Sequence, residues 1–458
     1  MTAAGAITGP PQTIRTRRNT ELFLLILALM IVVAAYANVG LAIDGKLPAD
    51  MVSYGAGLAV LFLAAHVAVR RFAAYADPIM LPTAAFLNGL GLVLIHRLDL
   101  AREQGTGDAA AQLLWTAVGI GLFVAVLVVV RDHRLLQRYT YVGLLVGLLL
   151  LLLPLTPIIG REINGARIWI RFAGLSFQPA EVAKLALIGF FAGYLVAKRD
   201  VLALASRRIL GFDLPRGRDM GPILVAWLVS MFVLVFQRDL GTALLFFGLF
   251  VAMLYIATER RSWLVLGLGM FVLGGYVAYW LFGHVRQRID IWLDPFKDET
   301  DSGFQLVQAL YGLANGGVVG TGLGQGRPTD VPFAKTDFIL ATIGEELGLT
   351  GLMAVLLCYA ILVERGFRTA VASRDPFGKL LAAGLAFTLG LQVFIIAGGV
   401  LRVIPLTGLT TPFVSYGGSS LVANWALIAL LLRISDAARR PAPVTPPPDE
   451  AVTQVVKT

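Results

Sequence analysis

The stretch "KTDFILATIGEELGLTGLMAVLLCYAILVER", Lys335 to Arg365, poses the problem of the whole chain. From position 338 to 364 it has the length and apolarity of a helix that crosses the ~30 Å hydrocarbon layer. Yet it opens on Lys335, Thr336 and Asp337, and Glu345 and Glu346 follow about 12 Å further along at 1.5 Å per residue. A capping role explains Asp337 alone, because a helix start offers free N–H groups and a dipole that favours negative charge. It does not explain the two glutamates, which at that depth need partners from other spans. Lys184, Arg238 and Arg402 are the available cations. A polar cavity lined by several acids and bases, open to water on the outer side, is the expected result.

The rest of the chain supports a membrane setting. Of 458 residues, 57% are hydrophobic and 15% charged, against about 25% charged in an average soluble domain. The fold class is an all-α polytopic membrane protein. Twelve apolar segments are expected: 22–43, 53–69, 78–95, 111–130, 139–157, 178–196, 220–236, 241–257, 262–282, 338–364, 380–401 and 413–433. No strand pattern is evident, and no second soluble domain.

Charge sets the expected orientation. With a cytoplasmic N-terminus, 24 of the 38 Lys and Arg residues fall in the two ends and the alternate loops, as the positive-inside rule requires. The excess of +9 is therefore a topology signal, not a nucleic-acid surface. Cys358 is the single cysteine, which excludes an internal disulfide. Positions 1–20 and 436–458 read as cytoplasmic disordered ends, 21–77 as two N-terminal spans, and 78–435 as the core. One long external loop, 283–336, interrupts the pattern of short connections, and long structured loops usually carry function.

Four further constellations carry chemistry. In "NGARIWIRFAGLSFQPAEVAKLAL", Arg167, Trp169 and Arg171 stand just outside the bilayer, and Pro179 is suited to a first helical turn. Gln178, Glu181 and Lys184 then share one helix face. They form either a self-neutralised structural pair or a cavity wall for an anionic ligand. In "QRDLGTAL", Arg238 and Asp239 occupy a short external turn, as an interfacial ion pair or as part of a site. The long loop holds "RQRIDIWLDPFKDE", a headgroup-level pattern, and an apolar stripe at Phe304, Val307, Leu310 and Leu313. Its "GTGLGQG" lacks the preceding strand of a nucleotide loop and is a groove lining or a turn cluster. Finally, "PLTGLTTPFVSYGGSSL" breaks a helix where Ser415, Gly417, Gly418 and Ser419 cluster, and broken backbone at membrane depth belongs beside a cavity or inside protein.

Taken in order, "GARIWIRFAGLSFQPAEVAK", "DLGTA", "GTGLGQG", "KTDFILATIGEELG" and "PLTGLTTPFVSYGGSSL" resemble the SEDS family (shape, elongation, division and sporulation) of bacterial cell-wall polymerases. The resemblance covers roughly residues 78–433. It implies a ten-helix core preceded here by two extra helices, which favour the elongation branch of actinobacterial type over the division branch. It further implies polymerisation of lipid II into glycan strands at the outer face of the bacterial cytoplasmic membrane, with release of undecaprenyl pyrophosphate, and a class B penicillin-binding protein as partner. By motif, Asp337 matches the acid regarded as catalytic; Trp169, Glu181, Lys184 and Asp239 match functional positions. Arg167, Gln178, Thr336, Glu345, Glu346, Ser415, Gly417, Gly418 and Ser419 complete the candidate substrate-binding set. A divalent cation, Mg or Mn, is one way to bridge pyrophosphate to the protein. Lys335 stands where the family often has His, and it receives no role by analogy. A lipid flippase is the rival reading, since twelve spans and intramembrane charges suit a transporter.

Overall fold

The computed structural model describes residues 16–441, apart from 102–106, 164, 173–174, 205, 210–211, 216–223, 226, 230 and 233–234. Most of both expected disordered ends, and much of the expected span 220–236, lie outside the described residues. The helices are α1 (Arg18–Asp44), α2 (Met51–Phe72), α3 (Met80–Leu100), α4 (Asp108–Val129), α5 (Arg134–Arg138), α6 (Thr140–Leu152), α7 (Pro179–Leu204) and α8 (Leu240–Thr258). They continue with α9 (Ser262–Leu281), α10 (Gly283–Leu293), α11 (Phe304–Gly316), α12 (Ile339–Glu346), α13 (Gly348–Ala372), α14 (Pro376–Val400) and α15 (Gly418–Arg439).

Among the described residues, ten helices are long and apolar enough to span: α1 to α4, α7 to α9 and α13 to α15. The segment expected at 139–157 is shorter, because α6 gives way at Leu153 to a 3-10 turn around Pro154. Helices α3 and α15 are the most enclosed, with 83% of their apolar windows buried, whereas α9 buries 6% and faces outward almost entirely. A hydrogen-bonded thread runs through this centre. Trp425 Nε1 donates to Asn88 Oδ1 at 3.1 Å, Asn88 Nδ2 to Thr116 Oγ1 at 3.2 Å, and Gln112 Nε2 to Ser415 O at 3.1 Å. Buried amide and hydroxyl groups need such partners, and here they fix the loop before α15 to α4.

The expected span at 338–364 is two helices. Helix α12 ends at Glu346, and α13 begins at Gly348, whose φ of +67° only glycine adopts freely. The break leaves carbonyls and N–H groups without helical partners, and the glycine-rich loop supplies them. Thr321 N donates to Glu345 O and Gly322 N to Glu346 O, each at 3.0 Å; Leu349 N donates to Gly317 O at 2.9 Å and Thr350 N to Val318 O at 3.1 Å. So "GTGLGQG" acts here as the plug of a helix break.

Strands are present, against expectation. β1 (Gly160–Ile163), β2 (Ala166–Phe172) and β3 (Leu175–Phe177) form an antiparallel sheet before α7, with Trp169 opposite Arg161 and Arg171 opposite Ser176. β4 (Ser206–Ile209) and β5 (Phe212–Pro215) form a hairpin after it. The period-2 alternation of Arg167, Trp169 and Arg171 with Ile168, Ile170 and Phe172 was the available signal.

The two N-terminal helices are tied to each other and to the loop before α3 by a buried charged cluster. Glu21, fully buried, pairs with Arg18 and with His66 Nδ1 at 2.8 Å, and Arg18 also reaches Ala76 O.

Candidate functional site

Asp337 lies on a tight turn just before α12. Phe333, at φ +57°, accepts from Thr336 N at 3.0 Å and from Phe338 N at 3.3 Å. The turn is docked on the broken segment before α15: Tyr416 N donates to Lys335 O at 2.8 Å, and Ser415 Oγ donates to Thr336 O while accepting from Thr411 N at 2.9 Å. Thr336 and Ser415 are therefore held together, through the Thr336 carbonyl.

Burial pushes the Asp337 carboxyl up to about 6, against a downward pull from Arg288 and from the Thr336 hydroxyl. Arg288 comes from α10 and donates through Nη1 to Leu406 O at 2.8 Å. A methyl group added at Gly408 would lie 3.6 Å from Asp337 Oδ2 and 3.7 Å from Arg288 Nη2, so that glycine keeps the space between the two charges clear. Burial lowers the Arg288 guanidinium, and Asp337 and Asp239 oppose that shift. Arg288 is absent from the expected site residues, yet it stands with Val285 and Trp292 at i−3 and i+4. A cation inside the buried stripe of an interfacial helix was the signal. Arg402, one of the cations expected for the glutamates, instead fastens this helix: its Nε donates to Trp292 O at 2.8 Å, and Trp292 Nε1 donates to Arg402 O at 3.1 Å.

The start of α7 closes the other side. Gln178 N donates to Ser419 Oγ at 3.0 Å, and Gln178 Nε2 to Asp239 Oδ2 at 3.3 Å. Asp239 caps α8, accepting from Thr242 N at 2.9 Å, and burial raises its carboxyl. Lys184 donates to Glu181 Oε2 at 2.8 Å and to Gln392 Oε1 at 2.9 Å, and Gln392 Nε2 donates to Thr410 O at 3.0 Å. The i, i+3 pair is thus real and self-neutralised, with Gln392, absent from the expected set, linking it to the broken segment. Arg238 is exposed, and so are Arg167 and Arg171 on β2, whose alternate positions share a face with half-buried Trp169. β2 packs beside α7, which puts these residues next to that helix at the edge of the site.

Glu345 and Glu346 have other partners than Lys184, Arg238 or Arg402. Glu346 Oε1 accepts from Arg97 Nε at 2.9 Å and its Oε2 from Gly324 N at 3.1 Å; Glu345 Oε1 accepts from Arg327 N at 2.8 Å. The reason is the break at residue 347, which turns both side chains toward the glycine-rich loop. In the serine–glycine segment, Gly417 N donates to Gln112 Oε1 at 3.3 Å. Gly418 is a packing requirement, since a Cβ there would lie 2.2 Å from the Trp115 ring.

A divalent cation bridging pyrophosphate to the protein would find Asp337 and Asp239 as the carboxylates of this site, since one or two carboxylates with substrate phosphates are the usual ligands of Mg. Among the described residues no three His, Cys, Asp or Glu side chains converge on one point, and the charge that Asp337 and Asp239 share is the Arg288 guanidinium.

Known proteins resemble this chain over most or all of its length. The peptidoglycan glycosyltransferase RodA of Mycobacterium tuberculosis (strain ATCC 25618 / H37Rv) is 51% identical over 466 residues, which span 100% of this chain and 99% of that protein. A solved structure described as structural coordination of polymerization and crosslinking by a peptidoglycan synthase complex superposes with a TM-score of 0.57 at 28% identity, over 91% of this chain and 98% of its own. The crystal structure of the Thermus thermophilus rod shape determining protein RodA gives a TM-score of 0.56 at 27% identity, over 80% and 98%. Residues 78–440 match the FTSW_RODA_SPOVE model, described as a cell cycle protein, and the chain belongs to that family.

Proposed function

We propose that this chain is a peptidoglycan glycosyltransferase of the elongation type, which polymerises lipid II at the outer face of the bacterial cytoplasmic membrane and releases undecaprenyl pyrophosphate. The observation that carries the reading is Asp337: a half-buried carboxyl raised to about 6, facing Arg288 across the bare Gly408. A general base works best with a pKa near the working pH. The acceptor sugar hydroxyl attacks the anomeric carbon of the donor as the bond from that carbon to the pyrophosphate oxygen breaks. Asp337 takes the hydroxyl proton, and the departing charge falls to cations. Arg288 is a half-buried cation facing the base across Gly408, whereas the Lys184 ammonium is already neutralised by Glu181. Arg167, Arg171 and Arg238 at the rim supply weaker, screened attraction. Trp169, Gln178, Thr336, Ser415, Gly417 and Ser419 form the surrounding wall; Glu345 and Glu346 act at one remove, through the loop they hold.

Full-length similarity to mycobacterial RodA, with the two N-terminal helices included, supports the elongation branch. The basic loops favour cytoplasmic termini. The likeness to a synthase complex favours a crosslinking partner, which we take to be a class B penicillin-binding protein. The test is glycan-strand synthesis from lipid II by purified wild type and Asp337→Asn, each with and without that partner. Loss of polymer from a folded Asp337→Asn protein is expected. Retained polymerisation overturns the assignment, and lipid translocation in liposomes without polymer would favour the flippase.

A further inference from the structure

Lys335 stands two residues before Asp337 and is spent on a different element. Its ammonium pairs with Asp108 at the first position of α4, where the helix dipole favours a carboxylate. It also lies 5.2 Å above the Tyr416 ring, a cation–π distance. The Tyr416 hydroxyl hydrogen-bonds the same Asp108, and Asp99 holds the next residue, accepting from Ala109 N at 2.8 Å. Both charged side chains are largely enclosed, at 23% and 14% exposure. The ammonium anchors the turn to α4, while Tyr416 N and Ser415 Oγ hold the Lys335 and Thr336 carbonyls. Asp337 is the residue that follows these three anchors.

We propose that Lys335, with Asp108 and Tyr416, is a positioning device that fixes the direction of the Asp337 carboxyl without touching substrate. The proposal rests on Asp337 being the base. Small displacements of a reacting group are costly: about 1 Å can lower the rate by ~100-fold.

The test uses full-length protein in lipid II polymerisation, read as kcat, KM and the acidic limb of the pH profile. Lys335→Met and Asp108→Asn should each lower kcat by about tenfold or more while KM stays within about threefold. The acidic midpoint should fall as Asp337 gains water, by roughly one unit. Lys335→Arg should keep most activity. The double variant should be no worse than the poorer single one, because both remove one anchor. Wild-type kcat and midpoint in folded Lys335→Met, or losses that multiply in the double variant, overturn the proposal. If Lys335→Met does not fold, the reversed pair Lys335→Asp with Asp108→Lys should restore activity beyond either reversal alone, and failure to do so also overturns it. Asp337→Asn separates the two levels: an active Asp337→Asn removes the base, whereas an inactive one beside a normal Lys335→Met removes only the anchor.

Discussion

Replacing Arg288 by methionine keeps much of the side-chain volume and deletes the charge that opposes burial at Asp337. The distances around Gly408 put Asp337 Oδ2 and Arg288 Nη2 within roughly 7 Å of each other. At an effective dielectric of 20 to 40, a pair at that separation interacts by about 1 to 2.5 kcal/mol, or about one to two pKa units. The sign follows from the charge: the guanidinium favours the carboxylate, so its loss raises the carboxyl above its value of about 6. At pH 7 the ionised fraction of the base would fall from about nine-tenths to between about one-half and one-tenth. Polymerisation by Arg288→Met at pH 7 should drop at least two- to tenfold from this cause alone. Raising the pH to about 9 should recover that share, leaving any deficit that comes from the leaving group. Arg288→Lys should keep the wild-type midpoint. The assay is a pH series of initial rates on lipid II in detergent or nanodiscs. An acidic midpoint in Arg288→Met that coincides with the wild type would refute the coupling, whatever happens to the plateau.

Three further outcomes follow from the same geometry. A carboxyl raised above its unfolded value costs stability as pH rises through that window, so Asp337→Asn should melt higher than the wild type at pH 7.5, by up to ~3 kcal/mol before allowance for partial exposure, and should show no difference near pH 4; the check is thermal unfolding across pH. Arg97→Met leaves Glu346 buried without its cation, which should cost about 3–5 kcal/mol and expose the 320–327 loop to protease, whereas the same change at exposed Arg238 should do neither. Gly348→Ala forces a Cβ to 2.4 Å from Gly320 N at a φ of +67°, and should cost at least about 2 kcal/mol; unaltered thermal stability would mean that the α12–α13 break is not fixed by this contact.

What was legible in the sequence was whatever depends on solvent and period. Apolar length gave most of the spans, because hydrocarbon penalises any crossing segment that is short or polar. The Glu181–Lys184 pair was legible for the same reason, since an i, i+3 contact is local. Partners from distant elements were not. Arg97 lies 249 residues from Glu346, and Asp108 lies 227 from Lys335; no spacing rule connects them. Arg288 was missed because a cation in an interfacial helix has solvated headgroups as its ordinary neighbours, and only the tertiary fold removes them. The β1–β3 sheet was missed although its alternation was present, because the surrounding apolar runs set a helical expectation.

Glu345, Glu346 and Asp337 do separate jobs within ten residues, and the helix break explains why. A continuous span from residue 338 would have buried the two glutamates among other spans and called for cations there. The break lets the glycine-rich loop enter, and its N–H groups meet both the free carbonyls and the glutamate side chains. Preorganised groups around a reacting centre need support that does not itself react. Asp337 differs from the glutamates in what faces it: a bare glycine and a guanidinium in place of loop N–H groups. Each glutamate already accepts one loop N–H, and Glu346 also accepts from Arg97, so their oxygens are engaged in holding the loop. The acid left without a loop N–H is the one free to take a proton, and the turn that carries it is anchored to α4 and to the segment before α15.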